Sequence, residues 1–460
     1  MEINKINSKM KIKINFKLLI NLIIFIFIIF NNKNLILINE NYLQILKNMN
    51  LTFNKKIRRQ IRIGIYGYCI FNGGRARITA LLINYLYKIK IFKIFLFIVE
   101  SNKKNEYIIP NDIKRYKIKN NLMRMLKINK IDILIYQLDN FNEIELLNNI
   151  NDIKVIFYHH SSNFDWIYSN YTNFKTIYRL FLKSKYFISI IPFENDYLFK
   201  KWGIRSILMN NFMTYEYNLV IHSDLSNNSI LMIGRGQAKK KRFKIGIQSM
   251  EFIIEEIIGC QMKIISDITH IGKLIDLVNN LNLNKNIEFI GYNKNPEIYF
   301  RNSSLIIVPS ISEAFPMVII ESKIFGIPNI LLGLDYLTIA KGGTIIIYDD
   351  TPESISKESI KVLKNQKYKE ELGKEARNSM KKYDNKKLVD KWIELIISIY
   401  NGDQYYQKLR EKYENISNRD LINIGYNQIK LLKMRLSNFI NITKNDYENF
   451  TIMENWKYLI

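Results

Sequence analysis

The chain has 460 residues, enough for two or three domains with full cores, and its 48% hydrophobic content is that of a globular enzyme. Lys and Arg total 68 against 42 acids, a net charge of +26 that suits nucleic acid, an anionic membrane or a phosphate-bearing substrate; yet the lysines are dispersed and Gly (18) and Pro (7) are scarce, as expected when coding DNA is rich in A and T, so much of the excess reads as solvated surface. Two cysteines, Cys69 and Cys260, exclude a disulfide scaffold, and the four histidines have no Cys or His partner at zinc spacing.

Lysines 5, 9, 11, 13 and 17 precede "LLINLIIFIFIIF" (Leu18 to Phe30), and no small-residue cleavage site follows. Residues 1–40 are therefore expected to be a basic segment and an uncleaved membrane anchor, with a signal peptide as the alternative. The strict run is shorter than the roughly 20 residues a bilayer needs and reaches that length only across a polar break to Ile38. Basic residues flank both sides, including Lys55 to Arg62, which leaves the orientation open.

From Ile61 strands and helices alternate: "IRIGIYGYCIF" is a strand that buries Cys69, "NGGRAR" a Gly-rich turn, and "ITALLINYLYK" an amphipathic helix. Gly73 and Gly74 would let a backbone approach a phosphate or a sugar, although a plain tight turn explains them equally well. Strands at Lys93 to Val99 and Ile131 to Leu138 lead to "KVIFYHHSSNFDW", a buried strand ending on His159 and His160, with Asn163 and Asp165 beyond as candidates for acceptor contact. The ends of parallel strands are where α/β proteins bind ligands. Adjacent residues point to opposite faces, so only one of the two histidines can face a cleft, and the residues do not choose between them.

Polar "HSDLSNNS" marks a boundary, after which the pattern restarts with a strand at Ile230 to Ile233, a basic loop and a helix. Arg235 as a planar fork and a loop lysine as a point charge could clamp a diphosphate; a solvated basic loop is the plainer alternative. In "PSISEAFPMVIIESKIFGIPNI" (Pro309 to Ile330) a hinge follows the buried run Leu305 to Val308, Pro316 opens a helix, and Gly326 with Pro328 closes it. The amides of Phe315, Met317 and Val318 then lie at a helix N-terminus, which favours an anion such as phosphate. Glu313 falls in the loop and Glu321 on the helix. An ionised carboxylate accepts from two neighbouring hydroxyls at once, which suits a sugar; one solvated glutamate and one helix-surface glutamate is the alternative.

That stretch, a glutamate, seven residues, a second glutamate, then a small-residue helix ending in Gly-x-Pro, closely resembles the signature of the retaining, group 1 (family 4) glycosyltransferases. The resemblance runs from about Ile61 to Tyr400 and is stronger in its second half. It implies an α/β protein of two Rossmann-like domains facing a cleft, the GT-B arrangement. An acceptor domain would span 60–218, a donor domain 228–402 and a helical tail 403–460. It further implies that Glu313 approaches the transferred sugar, that Glu321 holds the nucleotide ribose, and that the Phe315 to Val318 backbone lines the donor pocket. The family's arginine and lysine pair falls on Arg235 and, by aligning Lys241-Arg242-Phe243 with its usual Lys-Gly-Phe, on Lys241; Lys239 and Lys240 stay open. Tyr292 and Asn293 fall where its backbone meets the base, and a histidine, His159 or His160, lies near the reacting sugar. Gly73, Gly74 and Arg77 match its glycine pair and arginine on the phosphate and acceptor side, while Ala76 replaces its acid.

The implied activity is hexosyl transfer from a UDP- or GDP-sugar with retention, through an oxocarbenium-like transition state, with no metal or other cofactor. The anchor suits a lipid-linked or glycan acceptor at a membrane, the protein itself is expected as a single-pass protein of the endoplasmic reticulum or Golgi, and no nucleic-acid partner is expected. The competing readings are a GT-B phosphorylase or non-catalytic sugar-nucleotide binder, and a basic protein binding nucleic acid or membrane phosphates.

Overall fold

Most of the apolar, β-branched runs from Ile61 onward become strands that are short, continuous and covered on both faces, as at Ile133–Tyr136 and Leu305–Val308. The computed structural model describes residues 59–413 except 72, 103–104, 119–120, 138–151, 163–184, 193, 196–205, 237, 268 and 270. The expected anchor at Leu18 to Phe30, Asn163, Asp165 and the tail beyond residue 413 lie outside the described residues.

The first domain contains β1 (Ile61–Gly67), α1 (Gly74–Tyr87), β2 (Phe92–Ile98), β3 (Lys114–Lys117), α2 (Leu122–Ile128), β4 (Ile133–Tyr136), β5 (Lys154–Tyr158), β6 (Tyr186–Ser189) and β7 (Ile207–Leu208). Its strands pair in parallel in the order β3-β2-β1-β4-β5-β6-β7. Across the central β1 and β4 pair, Tyr66 registers with Tyr136 and their rings stack at 4.8 Å. The edge strand β3, "KRYK", turns charge to solvent, which discourages pairing with another chain. Two expectations shift here. Cys69 lies past the end of β1, half-buried, and donates to the Phe71 carbonyl at 3.1 Å, because the strand stops at Gly67. The Gly-rich turn itself begins α1: Gly73, at φ 99°, precedes the first helical residue, Gly74, so Arg77 stands in the opening turn of a helix.

The second domain contains β8 (Ser229–Ile233), α3 (Phe243–Glu256), β9 (Gln261–Ile265), α4 (Gly272–Asn280), β10 (Ile287–Phe289), α5 (Glu297–Arg301), β11 (Leu305–Val308), α6 (Met317–Ile324), β12 (Asn329–Leu332), β13 (Thr344–Ile347), α7 (Pro352–Lys364) and α8 (Gln366–Met380). Its sheet is also parallel, in the order β10-β9-β8-β11-β12-β13. Ile230, Met232, Ile247, Met250, Ile330, Ile355 and Val362 form its core. Thr351 and Asn365 cap α7 and α8, their side chains accepting from the amides of Ser354 and Tyr368.

The last two helices among the described residues, α9 (Asn385–Asn401) and α10 (Asp403–Tyr413), return to the first domain. Trp392 of α9 is fully buried with its ring edge-on to Tyr158 at 5.3 Å, and Lys154 donates to the Tyr400 carbonyl at 3.0 Å. At the start of α9 the Asn385 amide grips the outgoing linker, accepting from the Met213 N–H at 2.8 Å and donating to the Met213 carbonyl at 3.0 Å. Within the described residues the chain therefore passes between the domains twice, at adjacent points. Strand order reverses between β1 and β4 and again between β8 and β11, and loops at such reversals form the ligand crevice of open α/β sheets.

Candidate functional site

Two loops leave the carboxyl ends of β8 and β11 side by side, and the Ile311 N–H donates to the Lys240 carbonyl at 2.8 Å to tie them together. The basic loop closes in a 3-10 turn at Lys239–Lys241. Lys239 and Lys240 are exposed, whereas Lys241 turns inward and its ammonium pairs with the Glu313 carboxylate. Arg235 is exposed at the start of the same loop. Arg242 adopts the left-handed conformation, φ 51° and ψ 36°, at the position of the family's usual glycine. That conformation costs an L-residue about 1–2 kcal/mol, and the ion pair of its guanidinium with Asp350 at 2.8 Å offsets part of it.

Glu313 is held through its backbone. Its N–H donates to the Tyr336 hydroxyl at 2.9 Å, and that hydroxyl donates in turn to the Glu313 carbonyl. Tyr336 is 2% exposed, and burial lifts its phenol well above the ordinary value, so the hydroxyl keeps its proton. Pro316 precedes α6 instead of opening it, because its ψ of 119° is extended. Met317 and Val318 supply the first amides, and every residue of α6 is buried. At the far end the Ile327 N–H reaches the Ser322 carbonyl and the Gly326 N–H the Lys323 carbonyl, each at 3.0 Å, with Gly326 at φ 73°. This is the glycine stop that the sequence implied. Lys323 is fully buried on α6, donating to the carbonyls of Ile339 at 2.5 Å and Lys341 at 3.0 Å. Burial, reinforced by Lys382, pushes its ammonium down to about 7.

Glu321, on the same helix, meets the first domain. Arg77 Nη1 lies 2.6 Å from Glu321 Oε1, Arg77 Nη2 donates to the Lys294 carbonyl at 3.1 Å, and the guanidinium sits 5.3 Å over the Tyr107 ring. Burial alone would lower the Arg77 pKa, but Glu321 and Tyr107 outweigh it and raise it above the usual guanidinium value. Tyr292 is joined to Tyr107 hydroxyl to hydroxyl at 2.9 Å, and Asn293 caps its own turn by accepting from the Asn295 N–H at 2.8 Å. Gly73 and Gly74 are exposed, and a Cβ added to Gly74 would lie 3.6 Å from Met317 Cγ. The structure thus gathers Gly74, Arg77, Met317 and Glu321 around α6, and pairs Glu313, on the loop before that helix, with Lys241 on the loop after β8.

His159 and His160 do point to opposite faces. His159 is buried with its ring 6.1 Å from Phe157, whereas His160 lies 4.0 Å from Tyr158. Burial first, then the charges of Arg75 and His159, hold His160 well below the ordinary imidazole value, so it is neutral. Sequence reasoning missed two residues. Tyr336 carries no spacing signal in "GLDYLTIA". Glu194, fully buried just past β6, accepts from the Ser162 hydroxyl past β5; an acid following a buried parallel strand was the available cue. Among the described residues no cluster of three or more His, Cys, Asp or Glu is placed to hold a metal ion. No helix among them is long and apolar enough to cross a membrane.

Residues 220–379 match the family model for Glycosyl transferases group 1. An exopolysaccharide phosphotransferase from Streptomyces coelicolor is 21% identical over 203 residues, covering 43% of this chain and 21% of that protein. An uncharacterized glycosyltransferase from Haemophilus influenzae is 23% identical over 198 residues, 42% of this chain and 55% of that one. The chain thus spans about a fifth and about half of the lengths of these curated relatives. Among solved structures, sucrose-phosphate synthase from Thermosynechococcus elongatus superposes with a TM-score of 0.59 at 13% identity, over 74% of this chain and 99% of that one. Anabaena HepE in complex with UDP and glucose gives a TM-score of 0.59 at 12% identity, over 74% and 100%. The two parallel sheets are therefore those of a GT-B fold, and the second of them lies within the residues that match the Glycosyl transferases group 1 model.

Proposed function

We propose that the protein transfers a hexosyl group from a UDP- or GDP-sugar to a hydroxyl of a lipid-linked or glycan acceptor, with retention of anomeric configuration. The observation that carries this reading is the Lys241–Glu313 pair on the two tied loops, immediately before the α6 N-terminus, inside the group 1 domain. Lys241, Arg235 and the Met317 and Val318 amides meet the charge that develops on the departing diphosphate, and the scheme calls for no metal ion. Glu313 faces the transferred sugar and Glu321 the ribose diol. His159 and the neutral His160, with Ser162 and Glu194, lie on the acceptor side at the ends of β5 and β6. HepE, which shares the fold, was crystallised with UDP and glucose, in keeping with a nucleotide-sugar donor.

The test is to incubate the full chain with UDP- and GDP-sugars and identify the nucleotide released. A nucleoside diphosphate, formed without added inorganic phosphate, is expected. A requirement for phosphate would make the protein a phosphorylase. A nucleoside monophosphate would indicate transfer of a sugar phosphate; the Streptomyces relative bears the name of a phosphotransferase. The Leu18 to Phe30 run would hold the enzyme beside a membrane acceptor, and carbonate extraction should leave the full chain in the pellet; its recovery in the supernatant would refute the anchor.

A further inference from the structure

Glu321 is the carboxylate assigned to the ribose, yet its side chain is only 4% exposed. Its partner there is Arg77, itself 13% exposed at the side chain and fixed by three contacts: the Glu321 oxygen, the Lys294 carbonyl and the Tyr107 ring. At that exposure a ribose diol does not reach the carboxylate while the guanidinium is in place. The displaced guanidinium keeps its charge, since arginine does not deprotonate in proteins, and a buried charge stripped of its partner is strongly unfavourable. It needs another anion. Arg77 stands one helical turn after Gly74, which approaches Met317 at the α6 N-terminus where the diphosphate is placed. Residues three apart on a helix share a face, so the swing from ribose subsite to phosphate subsite is short.

We propose that Arg77 exchanges partners when the donor binds: Glu321 passes to the ribose hydroxyls and the guanidinium passes to diphosphate oxygens. The proposal rests on the nucleotide-sugar reading above. Its consequence is selectivity. A nucleoside must break the Arg77–Glu321 pair without replacing it, whereas a nucleoside diphosphate supplies the replacement. The same exchange ties the first domain, through α1, to the phosphates held by the second.

Isothermal titration of the full chain decides it, using whichever of UDP and GDP binds the unsubstituted protein, together with the matching nucleoside. Arg77→Ala should bind the nucleoside about threefold or more tighter, because Glu321 is released, and the diphosphate about tenfold or more weaker, because a charge-assisted contact is lost. Arg77→Lys, which keeps the charge and much of the packing, should fall between the two for both ligands. Equal weakening of both ligands would make Arg77 a strut and overturn the exchange. Tightening of both would make it an occupant with no phosphate role, which also overturns it. Failure of the unsubstituted protein to bind any nucleotide would overturn the nucleotide-sugar reading and the exchange with it.

Discussion

Tyr336→Phe is the substitution that best separates the positioning of Glu313 from its chemistry. The phenol ring stays and only one oxygen leaves, so packing around a 2% exposed side chain is conserved. That oxygen accepts from the Glu313 N–H and donates to the Glu313 carbonyl, so its removal strands two backbone groups at once. An unsatisfied buried polar group costs about 1–3 kcal/mol, and Glu313 is half-buried, so part of the loss is recovered by water. The expected net loss is about 2–4 kcal/mol, read as a lower urea midpoint with an unchanged slope. Tyr348→Phe is the control: its hydroxyl donates to Asp335 at 2.9 Å from a ring 58% exposed, and the loss should stay within about 0.5 kcal/mol. Turnover should fall with Tyr336→Phe while diphosphate affinity holds, because Lys241 and the α6 amides are untouched. A stability loss equal to that of the control would refute the account of how Glu313 is held.

Glu313→Gln, which keeps shape and removes charge, should lower kcat about a hundredfold or more while UDP or GDP still binds; unchanged turnover would remove Glu313 from the reaction. Arg235→Ala and Lys241→Ala should each weaken nucleoside diphosphate binding far more than nucleoside binding, and equal losses in titration would refute the clamp. Lys323→Met should change the pH profile of stability. The folded ammonium sits at about 7 and the unfolded one near 10.4, so between those values the unfolded chain binds more protons and the native lysine becomes less costly as pH rises. The stability gained by the substitution, measured as the difference in urea midpoint, should be greatest below about pH 7 and shrink toward about pH 9.5. A constant difference would refute a charge buried at that site.

The second domain was legible because its signals are local. The apolar run of β11, the Pro316 entry and the Gly326 exit sit within one stretch, and each follows from backbone geometry that sequence displays directly. That Lys241, and not Lys239 or Lys240, turns toward Glu313 needed the structure, since a 3-10 turn, not spacing, aims the side chain. Arg77 and Glu321 are 244 residues apart, and no periodicity carries a contact of that range. The opposite facing of His159 and His160 followed from the pleat, but the surroundings of that strand end depended on Trp392 and Asn211, supplied by other parts of the chain. Cys69 was misplaced because apolar residues continue past the end of β1, and composition does not register where strand pairing stops.

The return of α9 to the first domain has a consequence for synthesis. The segment that fills the surface over Tyr158 is translated only after the whole second domain. Domains emerging from the ribosome tend to fold as units, N-terminal first, but here the earlier one must wait with that apolar surface open while the later one completes. The second domain is thus free to fold before the first, against the order of translation. A fragment ending near residue 218 would leave the same surface bare, so a stand-alone version of the first domain requires residues 385–413 to be supplied, either in trans or by a short linker.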